Sequence, residues 1–263
     1  MVKFSIIINT HNQDEFILDA INSCLKQTYK NFEILIFNTS RNKINYKTSF
    51  QERKKIKFFH QKSKYKQPEL NQMFKIYQGF KKSKGNYLLL LDGDDKFDRN
   101  KLNRLNKIFK KKEIYCNQDL PFIFSKNFKK TLPIKTFKYN SFIKIFLNDW
   151  PQIYGTSSII VKKEVLQKFF EITNPFAWKM LAIDAQIILF SNIFSKQTNY
   201  LSGITFKRLH DNNLGDSYLN LFKKKFWARR YMQFQYVNSL EKKQTSSFDF
   251  YITKIIYFFF KNL

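Results

Sequence analysis

Residues 85–95 have the sequence GNYLLLLDGDD. Residues 87–91 are five consecutive apolar residues, a pattern typical of a strand buried on both faces in the centre of a parallel sheet. Asp92, Asp94 and Asp95 follow at the carboxyl end of that strand, the edge at which open α/β sheets bind ligands. Three carboxylates so close together repel one another and lose hydration. The pattern therefore favours a hard divalent cation, Mg²⁺ or Mn²⁺, which also takes oxygens from a substrate phosphate.

Acidic runs of this kind also occur in turns, in calcium-binding loops and in phosphatases. Asp-Gly is common in hairpin turns, and acidic clusters often lie in solvated loops. An EF-hand loop is disfavoured because Lys96 occupies a ligand position and no glycine stands sixth. A phosphatase of the haloacid dehalogenase type also follows a buried strand with Asp-x-Asp. Such a protein usually has this strand near its amino terminus, and it has Thr or Val where this chain has Lys96.

The composition is strongly basic. The 263 residues include 47 Lys and Arg against 20 Asp and Glu, a formal net charge of +27. This balance predicts acidic partners such as nucleotide diphosphates, anionic lipid or nucleic acid. The lysines are scattered and not arranged in a stripe with stacking aromatic residues, which argues against nucleic acid. With only Cys24 and Cys116, and no apolar run of about 18 residues, we expect a cytoplasmic protein that is soluble or peripheral on the inner face of the cell membrane.

Strand and helix patterns alternate along the chain. Strands are predicted at residues 4–8, 32–37, 56–59, 87–91, 159–161 and 200–208. Helices are predicted near residues 17–25, from Pro68 to about 80, and over 102–109, 163–170 and 183–194, with extended chain at 122–125 and 133–139 and a short helix at 141–147. Asn12 and Glu15 have the spacing of a capping box before the first helix. This alternation predicts an α/β fold with a mostly parallel central sheet flanked by helices.

Several blocks, in this order, resemble family 2 glycosyltransferases of the GT-A fold over roughly residues 2–215. They are FSIII at 4–8 with THN at 10–12, AINSCLKQTY at 20–29, FEILI at 32–36, GNYLLLLDGDD at 85–95, Asp184, and RLH at 208–210. The resemblance implies a GT-A domain at 1–215, with a Rossmann-like nucleotide-sugar-binding half at 1–112 and an acceptor half at 113–215. A basic, aromatic-rich helical tail follows at 216–263.

The same resemblance implies an inverting glycosyltransferase. Such an enzyme moves a sugar from a nucleotide-diphosphate sugar to a hydroxyl of a carbohydrate or lipid-linked acceptor, in surface polysaccharide or lipopolysaccharide synthesis. Asp184 matches the catalytic base, and Asp149 is the next candidate. The remaining roles implied are nucleotide-sugar binding by Thr10, Asn12, Asn38, Thr39, Asp92, Asp94 and Arg208, binding of Mn²⁺ or Mg²⁺ by Asp94, Asp95 and His210, and an acceptor side at Gly155, Thr156 and Ser157.

Three departures from the family pattern keep other functions open. Asn38-Thr39-Ser40-Arg41 stands where the family usually has Asp-Asp-Gly-Ser, so two charges that hold the nucleoside are missing. Ile183 replaces the acid that commonly precedes the base, and Asn9 replaces a proline. Asp184 in the first turn of a helix would also be stabilised there without any catalytic role. A catalytically inactive, basic nucleotide- or nucleic-acid-binding protein is therefore the alternative, together with the phosphatase.

The end of the chain combines apolar and basic residues at helical spacing. The apolar residues are Tyr251, Ile252, Ile255, Ile256, Phe259 and Phe260, and Lys254 and Lys261 lie among them. Such a helix can attach to an anionic membrane surface or can pack on its own domain. Both interpretations are open from the residues alone.

Overall fold

The structure of the protein is a computed structural model, which describes residues 2–47, 49–125, 132–133, 148, 150–195, 198–210 and 222–262. The predictions of extended chain at 134–139 and of a short helix at 141–147 lie outside the described residues, as does Asp149. None of the described helices is both long and apolar enough to cross a membrane.

The structure contains the predicted strands and helices that fall on described residues, and it adds the short helix Phe50–Arg53, the short strand Lys96–Phe97 and the strand residues 116–121. The strands are β1 (Phe4–Thr10), β2 (Phe32–Asn38), β3 (Ile56–His60), β4 (Tyr87–Asp92), β5 (Lys96–Phe97), β6 (Cys116–Phe124), β7 (Leu132–Pro133), β8 (Ile159–Lys162) and β9 (Thr198–Arg208). The α-helices are α1 (Ile17–Leu25), α2 (Phe50–Arg53), α3 (Pro68–Lys82), α4 (Lys101–Phe109), α5 (Lys163–Ile172), α6 (Ile183–Phe194), α7 (Lys224–Glu241) and α8 (Phe248–Asn262).

These strands form one sheet in the order β3-β2-β1-β4-β8-β6-β9-β5, with β7 beside β6. The four parallel pairings are five to eight residue pairs long, and the antiparallel ones are two or three long. The sheet is therefore mostly parallel, and the α/β prediction is confirmed. One detail was wrong: β4 is parallel to β1 but antiparallel to β8. An apolar run reports burial on both faces and not the direction of the neighbouring strands.

The core lies on both faces of this sheet, and β4 contributes to each. Leu88 and Leu90 pack into the cluster that also contains residues of α3, α5, α6 and α7. Leu89 and Leu91 point to the opposite face, where α1 and α4 pack. All four leucines have no exposed surface. This two-sided burial explains why the strand is a continuous apolar run and not an alternating one.

The start of α1 differs from the prediction. The helix begins at Ile17 with Phe16 as its N-cap, and no side chain caps it. Asn12 has a φ of +53°, and its N–H donates to Ser40 Oγ at 2.6 Å. The capping box is therefore not formed, because Asn12 takes a left-handed conformation that joins the end of β1 to the loop after β2.

The described part of the tail is helical, as predicted, and it packs on the domain. The Tyr236 hydroxyl of α7 donates to the carbonyl oxygen of Gln186 in α6 at 3.0 Å. Arg230 of α7 in turn pairs with Asp249 of α8 at 2.5 Å. The residues from 211 to 221, which connect β9 to this pair of helices, lie outside the described residues.

Candidate active site

The acidic loop is a tight turn at the carboxyl end of β4. The Gly93 N–H donates to the Asn9 carbonyl at 3.0 Å, and the Asp95 N–H donates to the Asp92 carbonyl at 3.1 Å. A Cβ on Gly93 would lie 2.6 Å from Thr10 Oγ1 and 2.7 Å from Thr10 Cβ. Position 93 therefore needs glycine because a larger side chain would not fit. A left-handed backbone is not the reason, because the φ of Gly93 is not among the positive values. The strand pairs with parallel β1 at this point, so the turn is not that of a hairpin.

Asp92 is held from three sides. Asn9 Nδ2 donates to Asp92 Oδ1 at 2.6 Å, and Gln72 Nε2 of α3 donates to the same oxygen at 2.9 Å. Its backbone N–H donates to Ser157 Oγ at 2.9 Å. Gln72 Nε2 also lies 3.1 Å from Thr156 Oγ1. The Asp92 carboxylate is thus oriented by neutral donors, and none of these contacts is made with a cation.

Asp94 and His210 are brought together, as their common assignment to a metal site requires. His210 Nε2 lies 2.8 Å from Asp94 Oδ2, and the His210 ring packs on Phe16 with centroids 5.1 Å apart. Arg208 Nε donates to the Asp94 carbonyl oxygen at 2.9 Å. The end of β9 therefore braces the acidic loop, although it is more than 110 residues away in the chain.

Arg208 also supports Asp95. Its backbone N–H donates to Asp95 Oδ1 at 2.8 Å. Its guanidinium lies between the rings of Phe16 and Phe124, 4.5 and 4.6 Å from their centroids, and Nη2 lies 2.7 Å from Asp19 Oδ2. Arg208 is thus a fixed cation beside the acidic loop, suitable for attracting a phosphate group.

Burial and mutual repulsion raise the pKa values of two carboxyl groups in the acidic loop, those of Asp92 and Asp95. Burial, followed by the charge of Asp94, raises the pKa of Asp92 to about 6. Burial, followed by the charges of Asp94 and Asp92, raises the pKa of Asp95 well above its ordinary value of 3.8. Hydrogen bonds from Ser157 and Arg208 lower the Asp95 pKa in part. A bound cation would relieve this repulsion, because an opposite charge favours the ionised form.

Asp184 lies in the first turn of α6 and belongs to the same electrostatic site. Its charge contributes to the raised pKa of Asp92, so the two carboxylates are close enough to interact. It is buried to 9% exposure, and its Oδ1 accepts the Ala185 N–H at 2.7 Å. That hydrogen bond also suits a residue that stabilises a helix start. Position and charge therefore fit both the catalytic base and the helix-start interpretation.

Polar residues also cluster at the ends of β1 and β2. Thr39 N–H donates to the Thr10 carbonyl at 3.2 Å, and His11 Nδ1 lies 3.0 Å from the Thr39 carbonyl oxygen. Asn38 is turned to its own loop, since its Nδ2 donates to the Asn42 carbonyl at 2.8 Å and its Oδ1 accepts the Ser40 N–H at 2.8 Å. The Thr39 hydroxyl is likewise engaged within this corner, since Oγ1 donates to the Thr10 carbonyl at 3.4 Å. The nucleoside-binding role of these residues stays a prediction.

A lysine that the sequence did not single out completes this corner. Lys75 of α3 is 3% exposed, and its Nζ donates to the Thr10 carbonyl at 3.0 Å and lies 3.4 Å from Thr39 Oγ1. Burial lowers the pKa of Lys75 to about 8, and the charge of Asp92 opposes that shift. The corner thus contains a cation where the family pattern usually has two acids.

The donor set fits a cation that takes part of its ligands from a substrate. Carboxylate oxygens are what Mg²⁺ prefers, and it is commonly held by one or two carboxylates together with phosphate oxygens. Among the described residues, no three His, Cys, Asp or Glu side chains form a ready-made metal cluster. The contacts already described explain this: Asp92 is turned to Asn9 and Gln72, and Asp95 to Arg208.

Comparison with known proteins agrees with this architecture. Residues 5–170 match the sequence model of Glycosyl transferase family 2. The chain belongs to that family.

Two curated relatives are named as uncharacterized glycosyltransferases. One, from Rickettsia bellii, is 36% identical over 102 residues, which are 38% of this chain and 14% of the relative. Another, from Nostoc sp., is 28% identical over 223 residues, which are 81% of this chain and 66% of the relative. This family 2 member thus spans only part of the length of these relatives.

Solved structures share the fold. S. aureus TarS 1–349 in complex with UDP superposes with a TM-score of 0.56 at 14% identity, covering 90% of this chain and 65% of the TarS 1–349 chain. The complex of TarS 1–349 with UDP-GlcNAc gives a TM-score of 0.58 at 13% identity, with 90% and 66% covered. The GT-A-like fold predicted for this family member is therefore confirmed.

The structure gathers most of the predicted residues at one edge of the sheet. Gly155, with a φ of +95°, and the turn Thr156–Ser158 lie beside the acidic loop, and Thr156 and Ser157 are buried. Their acceptor-side role stays a prediction. Asn9 and Gln72 were not predicted as site residues. Only Asn9 had a signal, because it departs from proline in the first family block, and a proline could not donate to Asp92.

Proposed function

We propose that the protein is a metal-dependent, inverting glycosyltransferase that uses a nucleotide-diphosphate sugar. The observation that carries the proposal is the acidic loop at the end of β4, where Asp92, Asp94 and Asp95 repel one another, together with the charge of Asp184 from α6, which acts on Asp92. Family membership supports glycosyl transfer and leaves the phosphatase interpretation without support. The TarS complexes with UDP and UDP-GlcNAc support a nucleotide-sugar donor by analogy of fold.

In this proposal each side chain has a defined task. Asp94, Asp95 and His210 would hold Mn²⁺ or Mg²⁺ together with the diphosphate, and Arg208 adds a fixed positive charge. A bound cation would neutralise the charge that develops on the leaving diphosphate. Thr10, Asn12, Asn38, Thr39, Asp92 and Asp94 line the nucleoside end, as the family resemblance implies.

Asp184 acts as the general base. It accepts the proton of the acceptor hydroxyl while that oxygen forms its bond to the anomeric carbon and the bond from this carbon to the phosphate oxygen breaks. One displacement of this kind inverts the configuration, and it needs one base and not a carboxylate pair. Gly155, Thr156 and Ser157 border the acceptor, a carbohydrate or lipid-linked hydroxyl. The proposed setting is surface polysaccharide or lipopolysaccharide synthesis in the cytoplasm. The proposed domain division is a nucleotide-sugar-binding half at 1–112, an acceptor half at 113–215 and a tail at 216–263.

Metal dependence gives the first test. A nucleoside diphosphate should stabilise the protein only when Mn²⁺ or Mg²⁺ is present, by roughly 2.7 kcal/mol at about 100 times its Kd. Asp95→Asn should abolish this gain while keeping an acceptor for the Arg208 N–H. Glu171→Gln is the matched control, because it also removes one negative charge and Glu171 is an exposed carboxylate on α5, away from the loop. Equal stabilisation in EDTA would contradict the proposal and would favour the inactive basic protein.

The mechanism is tested at Asp184. Asp184→Asn keeps an oxygen for the Ala185 N–H but removes the basic lone pair, so turnover should fall by about 10²- to 10⁴-fold with nucleotide affinity almost unchanged. Calorimetry measures the affinity, and release of nucleoside diphosphate from a panel of nucleotide-sugars measures turnover on the same preparation. If the residue only stabilises the helix start, the variant keeps its activity. Loss of donor binding along with turnover would instead place Asp184 in the nucleotide site.

A further inference from the structure

Helix α8 presents one continuous apolar stripe to solvent. The stripe consists of Tyr251, Ile255, Phe258 and Phe259. Their exposed fractions run from 40% for Phe258 to 68% for Ile255. At 100° per residue these four positions fall within an arc of about 100° on the helix. A stripe of large apolar side chains that the described residues leave uncovered is a candidate binding surface.

Packing of the opposite face fixes the direction of this stripe. Asp249, Phe250 and Thr253 of α8 are buried. Asp249 pairs with Arg230 of α7 at 2.5 Å, and the ring of Phe250 lies 5.3 Å from that of Phe234. The helix therefore cannot rotate to bury the stripe without breaking an ion pair and an aromatic contact. Packing and surface binding, which the sequence left as alternatives, use different faces of α8.

The charge around the stripe identifies the kind of partner. Residues 222–262 contain nine Lys and Arg against two acids, and one of those acids, Asp249, is buried against Arg230. Lys254 and Lys261 are exposed on α8 beside the stripe. Helices that lie in the interface of a bilayer commonly have aromatic and aliphatic side chains on one face and Lys or Arg beside it. Anionic lipid attracts these basic side chains.

We propose that the stripe on α8 binds the surface of an anionic membrane, with its apolar side chains in the headgroup region and with Lys254 and Lys261 on lipid phosphates. This places the protein peripherally on a membrane. The inference goes beyond the proposed function and does not depend on it, since the stripe and its charges are independent of the acidic loop.

Flotation of the full chain with vesicles tests the proposal. Vesicles of phosphatidylcholine with phosphatidylglycerol should carry the protein, and vesicles of phosphatidylcholine alone should carry much less. The double variant Ile255→Asp/Phe259→Asp should bind about tenfold more weakly or worse, because it puts two charges on the apolar face. Lys254→Gln/Lys261→Gln should reduce the preference for anionic vesicles and the sensitivity to salt.

The matched control is Phe50→Asp/Ile172→Asp, which makes the same change of charge at two apolar residues exposed elsewhere, 75% and 56% respectively. It should float like the unchanged protein, and thermal melting should show that all variants are folded. Failure of the unchanged protein to float with anionic vesicles would overturn the proposal, as would equal flotation of the stripe variant. Dimers in sedimentation that depend on Ile255 and Phe259, without flotation, would overturn it in favour of a second copy.

Discussion

Changing Asp92 to asparagine should make the protein more stable at neutral pH and less able to bind its ligands. Asparagine keeps Oδ1 as the acceptor for Asn9 and Gln72, the two donors that hold Asp92, but it removes the charge. The pKa of Asp92 is raised from 3.8 to about 6, and two pKa units correspond to about 3 kcal/mol against the folded state. Solvent screens part of this, since Asp92 is only partly buried. We expect a gain of about 1 to 2 kcal/mol.

The pH dependence of this stability gain tests whether the raised pKa of Asp92 is its cause. Between the ordinary pKa of 3.8 and the folded pKa of about 6, folded Asp92 keeps a proton that the unfolded chain releases. The contribution of Asp92 to stability therefore falls as the pH rises through this window. Urea unfolding in EDTA measures both proteins at pH 7.5 and 4.5. The advantage of Asp92→Asn should be full at pH 7.5 and should shrink at pH 4.5.

Ligand binding must change in the opposite direction. The variant should show weaker stabilisation by a nucleoside diphosphate with Mn²⁺ than the unchanged protein, because the loop has lost one of its charges. Glu171→Gln, at an exposed acid on α5 away from the loop, should alter neither property. The reasoning is refuted if Asp92→Asn is less stable than the unchanged protein at pH 7.5, or if its advantage is the same at both pH values.

Two further substitutions test the support of the site. Gly93→Ala places a Cβ 2.6 Å from Thr10 Oγ1 and should displace the acidic loop. We expect the free energy of unfolding in urea to fall by about 1 to 3 kcal/mol and metal-dependent nucleotide binding to weaken more than about tenfold. Unchanged binding would contradict the close approach. Lys101→Met leaves Asp119 uncompensated, since the pair is fully buried at 2.5 Å, and should cost about 3 to 5 kcal/mol. The double variant Lys101→Met/Asp119→Leu should recover much of that loss, and a loss below about 1 kcal/mol in the single variant would refute the argument.

The sequence by itself determined the elements whose signals are local. The apolar run that became β4, the proline that begins α3 and the helix Ile183–Phe194 all follow from neighbouring residues. The acids after β4 could be assigned to the ligand-binding edge because parallel strands present their carboxyl ends together. The resemblance to family 2 glycosyltransferases added Asp184 and residues 208–210 to the predicted site residues. The order of the matching blocks along the chain identified them, whereas hydrophobic periodicity did not.

Only the tertiary structure decided which residues surround these acids. Asn9 and Gln72 meet Asp92 across 83 and 20 residues of chain, and Lys75 reaches Thr10 across 65. No local pattern predicts such contacts. They depend on which strands pair with one another and on which face of α3 packs against the sheet. For the same reason α8 could be predicted as an apolar, basic helix, but not which of its faces is buried. The division between inward and outward residues is set by the ion pair and aromatic contacts that α8 makes with α7.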